Sequence, residues 1–243
     1  MSKLEDLIDK HQGSIGFICG AGPSLRHLNN SDIDILKKNV VIAVNSALPK
    51  VPFCQYFLAD DIGVKNWDYY VHLLPKLDCQ SLLYKDKLED HANHLDLDKV
   101  IFFRHKWWND PKNKKRNPEG LVLTKGEPII GARTAAGSAV HFAYLMGCNP
   151  IVLLGCDCSY DGMRRYYWQF EGETECKRIT GEPVFSFPNR GKQNGKYIDA
   201  HCVSFIEYWS ELSKQTKKQN IEVLNASEGL LDCFPKVSVG DFE

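Results

Sequence analysis

The stretch Phe17–Leu25, FICGAGPSL, decides the fold that the sequence predicts. A short apolar run that ends in glycines is typical of a buried parallel strand followed by a sharp turn into a helix. Glycine lets the backbone approach a ligand closely, proline suits a first helical turn, and the N–H groups at a helix start bind anions. We therefore expect a phosphate on this turn, although the same residues also suit an ordinary strand-to-helix turn. The expected contacts are Gly20, Ala21, Gly22, Pro23 and Ser24.

The turn differs from the two best-known phosphate-binding loops. It has no GK[ST] sequence, and Leu25 stands where the dinucleotide fingerprint has its third glycine. The negative charge of a phosphate would therefore have to be balanced by a side chain or a metal ion from another part of the chain.

Further apolar runs of strand length follow, separated by segments with helical periodicity. Strands are predicted at 15–19, 40–44, 55–59, 100–103, 151–155 and 221–224, and helices at 2–11, 31–38, 66–74, 85–94, 134–146 and 199–218. This alternation predicts an α/β fold with a Rossmann-like, mostly parallel sheet and helices on both faces. We expect a single α/β nucleotide-binding domain over residues 1–243, with lid-like irregular segments at about 104–133 and 159–198 as active-site loops.

The composition narrows the class of protein. Lys and Arg number 30 against 31 Asp and Glu, so the net charge of −1 gives no general reason to bind nucleic acid or an anionic membrane. The sequence has no apolar run long enough to span a bilayer, and its N-terminus lacks the apolar part of a signal peptide. The nine cysteines are an odd number and lie largely in apolar runs, which indicates free thiols. We expect a cytoplasmic protein, and the composition is compatible with an oligomer.

Polar residues follow several predicted strands, at the edge where parallel sheets bind ligands. Asn45 follows the second strand, Asp60 and Asp61 follow the third, and Asp157 and Ser159 follow the strand at 151–155. Adjacent strand residues point to opposite faces, so we expect only one of the two aspartates to face the cleft. That aspartate could hold Mg²⁺ or a ribose hydroxyl, or the pair could cap a helix. Asp157 is a candidate base, metal ligand or organiser of the site.

Three candidates come from helices and loops. Arg133 precedes an alanine-rich helix and could clamp a phosphate or carboxylate, although the small residues there also suit tight helix packing. His201 lies near the start of the long helix and could act as a base near neutral pH. Tyr166 lies in the second irregular segment beside Arg164 and Arg165, which would suit a nucleotide or an acidic substrate, or form a solvated loop.

The motifs GAGPSL, VNSAL, FLADD, ARTAAGSAVHFAYLMGCNPIVLLGCDCSY and NASEG occur in an order that resembles proteins with a sialyltransferase-like fold. One branch of that family is 6-hydroxymethylpterin diphosphokinase-like (MptE-like) and includes motility accessory proteins. A more distant branch contains the bacterial sialyltransferases that use CMP-sialic acid. The resemblance covers roughly residues 15–60 and 130–229.

The resemblance to the sialyltransferase branch implies roles for particular residues. The glycine-rich turn and Asn45 would hold the nucleotide, and His201 would be the base. Arg133 and Gly137 match an R-x-x-S-G motif in which Ala136 replaces the serine. Two tyrosines assist phosphate departure in that branch; Tyr166 matches one, and Ser159 replaces the other. Ala21 and Asp60 replace asparagines of the sialyltransferases, and both are closer to the diphosphokinase-like branch.

These observations lead to one main functional hypothesis and two alternatives. The main hypothesis is a nucleotide-dependent transferase, a sialyltransferase-like glycosyltransferase that uses a nucleotide-activated sugar and a small-molecule or glycan acceptor. Its catalytic residues would be His201, Asp157, Arg133 and Tyr166. The first alternative is a Mg²⁺-dependent diphosphokinase acting on a 6-hydroxymethylpterin-like alcohol, with Asp60 and Asp61 as metal ligands. The second is a non-catalytic nucleotide-binding factor.

Overall fold

The computed structural model describes residues 3–108, 121–131, 134–170, 178–179 and 191–243. The strands in these ranges are β1 Gly16–Cys19, β2 Val40–Val44, β3 Tyr56–Ala59, β4 Gln80–Tyr84, β5 Val100–Phe103, β6 His105–Trp107, β7 Ile129–Gly131, β8 Ile151–Leu154, β9 Gly191–Gln193, β10 Lys196–Ile198 and β11 Val223–Asn225. The α-helices of the same ranges are α1 Asn30–Lys37, α2 Lys85–Leu88, α3 Ala135–Leu145 and α4 Ala200–Lys218.

A seven-stranded sheet in the order β11-β8-β1-β2-β3-β4-β5 forms the centre of the molecule, and every neighbouring pair is parallel. Alternate strand residues point to opposite faces. Ile18 and Ile42 therefore join a core that includes residues of α3 and α4. Phe17 and Val41 join a second core that includes residues of α1. The predicted α/β fold, with a parallel sheet covered by helices on both faces, is confirmed.

The strand order contains a switch point between β1 and β8. The chain adds β2, β3, β4 and β5 in turn on one side of β1, and then returns to place β8 and β11 on the other side. The connections that leave β1 and β8 therefore run in opposite directions and open a crevice at the carboxyl ends of these two strands. Ligands of open parallel sheets bind in such a crevice.

Several local predictions differ from the structure. Strand β4 has no counterpart among the predicted strands, because Gln80 and Ser81 interrupt its apolar pattern. The helix predicted at 66–74 is a π-helical turn followed by a 3₁₀ turn that contains Pro75, a residue with no N–H to continue a helix. The helix predicted at 2–11 is limited to the 3₁₀ turn Leu4–Leu7. The helix predicted at 85–94 is the single turn of α2 followed by the 3₁₀ turn Glu89–His91.

The described parts of the two lid-like segments contain ordered pairing. Strand β6 pairs in parallel with β7, and β9 forms an antiparallel hairpin with β10. Leu121, Leu123, Ile129 and Ile130 are buried, so these flanks of the first segment belong to the core and not to a lid. The rest of the two segments, residues 109–120, 132–133, 171–177 and 180–190, lies outside the described ranges.

Two further expectations concern the whole described chain. Its eight cysteines are free thiols, as the sequence predicts. Within the described ranges, no helix combines the length and the apolar character needed to cross a membrane.

His141 on α3 attaches the 121–131 segment to the core. The side chain is fully buried. Its Nδ1 accepts the N–H of Ile130 at 2.8 Å, and its Nε2 donates to the carbonyl of Thr124 at 2.8 Å. Desolvation lowers the pKa of His141 to about 4, because a charged ring would lose its hydration and could not accept the Ile130 hydrogen bond.

We expect this histidine to make the fold sensitive to acid. The pKa of His141 is lower in the folded chain than its ordinary value of 6.5, so its contribution to stability is complete above pH 6.5 and is lost as the pH falls towards about 4. The difference between these two pKa values corresponds to a loss of about 3 kcal/mol in the free energy of unfolding. Urea unfolding at pH 7 and pH 4 measures the loss. His141→Gln keeps an acceptor and a donor without a titrating ring. Between pH 7 and pH 4 its free energy of unfolding should therefore fall by about 3 kcal/mol less than that of the wild type. Equal losses in the two proteins would contradict the prediction.

Candidate active site

A cavity of about 490 Å³ opens at the switch point, beyond the carboxyl ends of β1, β2, β3 and β8. Its remaining walls come from residues 61–69, from the start of α3, from residues 158–168 and from the N-terminal half of α4. This volume lies in the range of small-molecule sites, and polar side chains converge on it from several elements.

The glycine-rich turn forms the floor of the cavity, but its backbone N–H groups are largely occupied. Gly20 N–H donates to the carbonyl of Leu154 at 2.7 Å, and Gly22 N–H donates to the carbonyl of Gly155 at 2.8 Å. Ser24 N–H donates to Asp157 Oδ2 at 2.9 Å. These three N–H groups are therefore not available to a phosphate in this conformation. The expectation of a backbone phosphate cradle is corrected to that extent.

Asp157 takes the place of an external anion at this turn. Its carboxylate accepts the Ser24 N–H through Oδ2 and the Glu228 N–H at 3.1 Å through Oδ1. A Cβ atom at Gly22 would overlap Asp157 Oδ2, so the carboxylate itself requires glycine there. Burial raises the pKa of Asp157, while the hydrogen bonds from Ser24 and Glu228 oppose the rise. The geometry makes Asp157 the organiser of two turns.

Asn45 offers a hydrogen-bonding group to the cavity. It lies directly after β2 with φ of +50°, a left-handed conformation that asparagine tolerates better than most residues. Its buried Oδ1 accepts no hydrogen bond from any described residue. Because a buried polar atom without a partner is costly, this oxygen is suited to a donor on a bound ligand.

Asp60 and Asp61 both reach the cavity lining but bind different partners. Asp60 is buried, with Oδ2 lying 3.6 Å from Nε2 of the buried His105. Asp61 is exposed and caps a 3₁₀ turn by accepting the Gly63 N–H at 3.1 Å. Among the described residues, no group of three or more His, Cys, Asp or Glu side chains is arranged to hold a metal ion. Asp60 and Asp61 therefore do not belong to a preassembled metal site within the described ranges.

Tyr166, Trp168 and Trp67 form an aromatic wall of the cavity. Tyr166 stacks on Trp168 with ring centroids 5.2 Å apart and an angle of 8° between the planes. Trp168 contacts Trp67 edge to face at 5.6 Å. Tyr167 N–H donates to the carbonyl of Ala21 at 3.1 Å, which fastens this segment to the glycine-rich turn.

Helix α4 brings His201 to the rim. Asp199 caps the helix by accepting the Cys202 N–H at 2.8 Å. His201 is exposed in the first turn and lines the cavity, and its ring centroid lies 6.1 Å from that of Phe205. An imidazole at this position is accessible to an acceptor that enters from solvent.

The structure brings most of the candidate residues into one lining. Those that line the cavity are Gly20, Ala21, Gly22, Asn45, Asp60, Asp61, Asp157, Ser159, Tyr166 and His201. Pro23 and Ser24 do not line it, because the chain turns away into the 3₁₀ helix Pro23–His27. Gly137 does not line it either, since a Cβ atom there would meet the ring of Tyr208, so packing explains this glycine. Arg133 lies outside the described residues.

The lining residues that were not among the candidates include Arg165, Trp67 and Trp168. The run Arg164–Trp168, RRYYW, is the signal that could have found two of them, because an arginine between aromatic residues suits an anionic ligand with a planar base. Trp67 carries no such signal, since only the fold brings it to Trp168.

Comparisons of the sequence and of the fold give different results. No family model matches the chain, and no curated protein matches its sequence. A solved structure of the MAf glycosyltransferase from Magnetospirillum magneticum AMB-1 is similar with a TM-score of 0.52 and 12% identity; the likeness covers 98% of this chain and 37% of that one. The sialyltransferase CstII from Campylobacter jejuni, in complex with cytidine-5'-monophosphate, has a TM-score of 0.50 and 14% identity over 93% of this chain and 86% of that one.

At these identities the similarity establishes the fold alone. The chain thus has the fold found in solved glycosyltransferases and sialyltransferases, as the resemblance to the sialyltransferase-like family implies. It spans little more than a third of the length of the MAf glycosyltransferase. The diphosphokinase-like branch gains no support from these structures and stays a prediction.

Proposed function

We propose that this protein is a glycosyltransferase that binds a nucleotide-activated sugar in the switch-point cavity and transfers the sugar to an acceptor hydroxyl. The observation that carries the proposal is the cavity itself. It lies where parallel sheets bind nucleotides, and it gathers an asparagine with an unpartnered buried oxygen, an aromatic wall and an accessible histidine. The fold shared with solved glycosyltransferases supports the same class of reaction.

The proposed reaction assigns one step to each functional group. The acceptor hydroxyl attacks the anomeric carbon of the sugar, and its proton passes to the imidazole of His201. The bond between the anomeric carbon and the phosphate oxygen breaks, and its electron pair leaves with the nucleotide. Tyr166 donates a hydrogen bond to the departing phosphate, with Arg133 as a further candidate for that charge. Asn45 holds the nucleotide, and Gly20 to Gly22 and Ser159 contact it from the cavity lining.

Asp157 has a different part in this proposal from the one expected of a base. Both of its oxygens accept backbone N–H groups, so neither is directed at a substrate proton. We assign it the role of holding the glycine-rich turn, which forms the cavity floor, next to the turn that carries Glu228.

The two alternatives make different demands on the site. A diphosphokinase needs Mg²⁺ to balance the phosphates, yet Asp60, Asp61 and Asp157 are each committed to a separate protein partner. We therefore derive no metal-dependent step. A non-catalytic nucleotide-binding factor would bind the nucleotide but would not turn over a nucleotide sugar in the presence of acceptors.

The proposal predicts that CMP binds and stabilises the folded chain. CMP is the probe because the similar sialyltransferase was solved with it. At 100 times its Kd, a ligand stabilises the folded state by about 2.7 kcal/mol, which corresponds to a rise in Tm of about 5 to 10 °C for a chain of this size. Thermal unfolding with CMP, UDP, GDP and ATP, each with Mg²⁺ or EDTA, measures the effect. No shift with any nucleotide would sink the proposal, and a shift only with ATP and Mg²⁺ would favour the diphosphokinase.

A pair of asparagine variants locates the binding site. Asn45→Asp keeps a side chain that tolerates the left-handed backbone, but it adds a negative charge beside the nucleotide and should reduce the CMP shift. Asn194→Asp is the matched control, because Asn194 has φ of +47° in the exposed turn between β9 and β10 and does not line the cavity. Equal shifts in the two variants would contradict the assigned site.

A further inference from the structure

The charges around the cavity are unevenly distributed. The described residues that line it include three carboxylates, those of Asp60, Asp61 and Asp157. Among the same residues, Arg165 is the single arginine or lysine. A phosphate that entered a site with this lining would need a cation, because bringing like charges together without water is costly.

Three N–H groups of the glycine-rich turn do not supply that positive potential. The N–H groups of Gly20, Gly22 and Ser24 donate to protein oxygens, and the anion position beside Ser24 is filled by Asp157. Within the described lining, the positive charge that a phosphate needs would therefore have to come from a side chain.

Arg165 is held in the cavity wall by three neighbours. Its Nη1 lies 3.3 Å from Asp199 Oδ2, and its guanidinium carbon lies 5.5 Å from the ring centroid of Tyr166 and 6.0 Å from that of Tyr160. The side chain is 21% exposed, so it is confined but still reaches solvent. A guanidinium has five N–H donors, and the hydrogen bond to Asp199 uses one of them. The planar fork of the others matches a phosphate.

Asp199 connects this arginine to the helix that carries the proposed base. Its Oδ2 also accepts the Tyr160 hydroxyl at 2.9 Å, and its Oδ1 accepts the Cys202 N–H at the start of α4. His201 lies in that first turn. One buried carboxylate therefore fixes both the arginine and the start of the histidine-bearing helix.

We propose that Arg165 binds the phosphate of the nucleotide donor and that Asp199 is the positioning residue that holds its guanidinium towards the cavity. This inference rests on the proposed function and names the group that balances the charge of the donor. Arg165 then stabilises the phosphate as the sugar leaves, next to Tyr166 in the same wall.

Paired affinities for a nucleoside and its nucleotide test the assignment. Isothermal titration gives Kd values for cytidine, CMP and CDP with the wild type, Arg165→Gln, Arg165→Lys and Arg164→Gln. We expect Arg165→Gln to weaken CMP and CDP binding by about 10- to 100-fold, the loss of a charged hydrogen-bonding partner, and to leave cytidine binding unchanged. Arg165→Lys should lose less, because it keeps the charge without the planar fork. Arg164→Gln is the control, since that exposed guanidinium packs on Phe170, 4.7 Å away, and does not line the cavity.

The outcomes separate this inference from the proposed function. Equal loss of cytidine and CMP binding in Arg165→Gln would indicate a structural role and overturn the inference, as would unchanged CMP binding. If Arg165→Gln does not fold, Arg165→Lys decides, because a phosphate contact predicts that it weakens CMP but not cytidine. Thermal unfolding with inorganic pyrophosphate makes the test independent of the base. Stabilisation of the wild type but not of Arg165→Gln supports the inference even if CMP does not bind, and no stabilisation by pyrophosphate, CMP or CDP overturns it.

Discussion

Replacing His201 with alanine is expected to lower the rate of sugar transfer by about 100- to 10,000-fold, the usual contribution of a general base. The expected cause is the loss of the group that takes the acceptor proton. Because His201 is exposed at the rim and its ring contacts only Phe205 among the ring contacts of the described chain, its removal should disturb neither the fold nor CMP binding. Transfer from a CMP-activated sugar to a panel of acceptors gives the rate, and titration gives the affinity for CMP.

His72→Ala is the matched control for this variant. His72 is also an exposed histidine and does not line the cavity. Its Nε2 lies 3.9 Å from Asp68 Oδ1. Its removal should leave transfer unchanged. Full activity in His201→Ala, measured with the same donor and acceptors, would show that another group takes the proton.

Replacing Asp157 with alanine is expected to destabilise the fold by about 2 to 6 kcal/mol. Two part-buried backbone N–H groups, those of Ser24 and Glu228, would lose their acceptors, and each unpaired group costs about 1 to 3 kcal/mol. The glycine-rich turn that precedes Ser24 forms the floor of the cavity, so CMP binding should weaken as well. Urea unfolding at pH 7 measures the change in the free energy of unfolding.

Two other aspartate variants test the reason for this loss. Asp157→Asn retains one acceptor oxygen and the shape of the side chain, so it should cost less than alanine. Asp232→Ala removes an exposed carboxylate and should change the stability by no more than about 0.5 kcal/mol. A free energy of unfolding for Asp157→Ala that matches Asp232→Ala would contradict the structural role of Asp157.

Much of the sheet could be predicted from the sequence because its strands are buried on both faces. Strands β2 and β5 coincide with the apolar runs at 40–44 and 100–103, and β1 and β8 lie within predicted strands. Strand β4 was missed because its burial depends on β3 and β5 on either side, and not on its own first residues. The predicted lid at 104–133 was wrong in its described flanks for a related reason. The segment is polar overall, but His141 and the core bind its few apolar residues.

The sequence could predict only those site residues that directly follow a strand. Asn45, Asp60 and Asp157 follow apolar runs, and parallel strands bring their carboxyl ends to one edge. Arg165 does not follow an apolar run, and its position depends on Asp199, 34 residues further along the chain. Gly137 looked like part of a nucleotide motif, but the ring of Tyr208 is the neighbour that requires a glycine there.

The stretch FICGAGPSL by itself determined a buried strand, a tight turn and the edge of the sheet at which a ligand would bind, because apolar burial and glycine geometry are local properties. What the turn binds was decided only by the tertiary structure. Asp157, 133 residues away from Ser24, supplies the anion that the turn was expected to take from a nucleotide. Hydrogen bonds between distant residues leave no trace in the local sequence pattern, and the fold alone brings that carboxylate to the turn and Arg165 to the cavity.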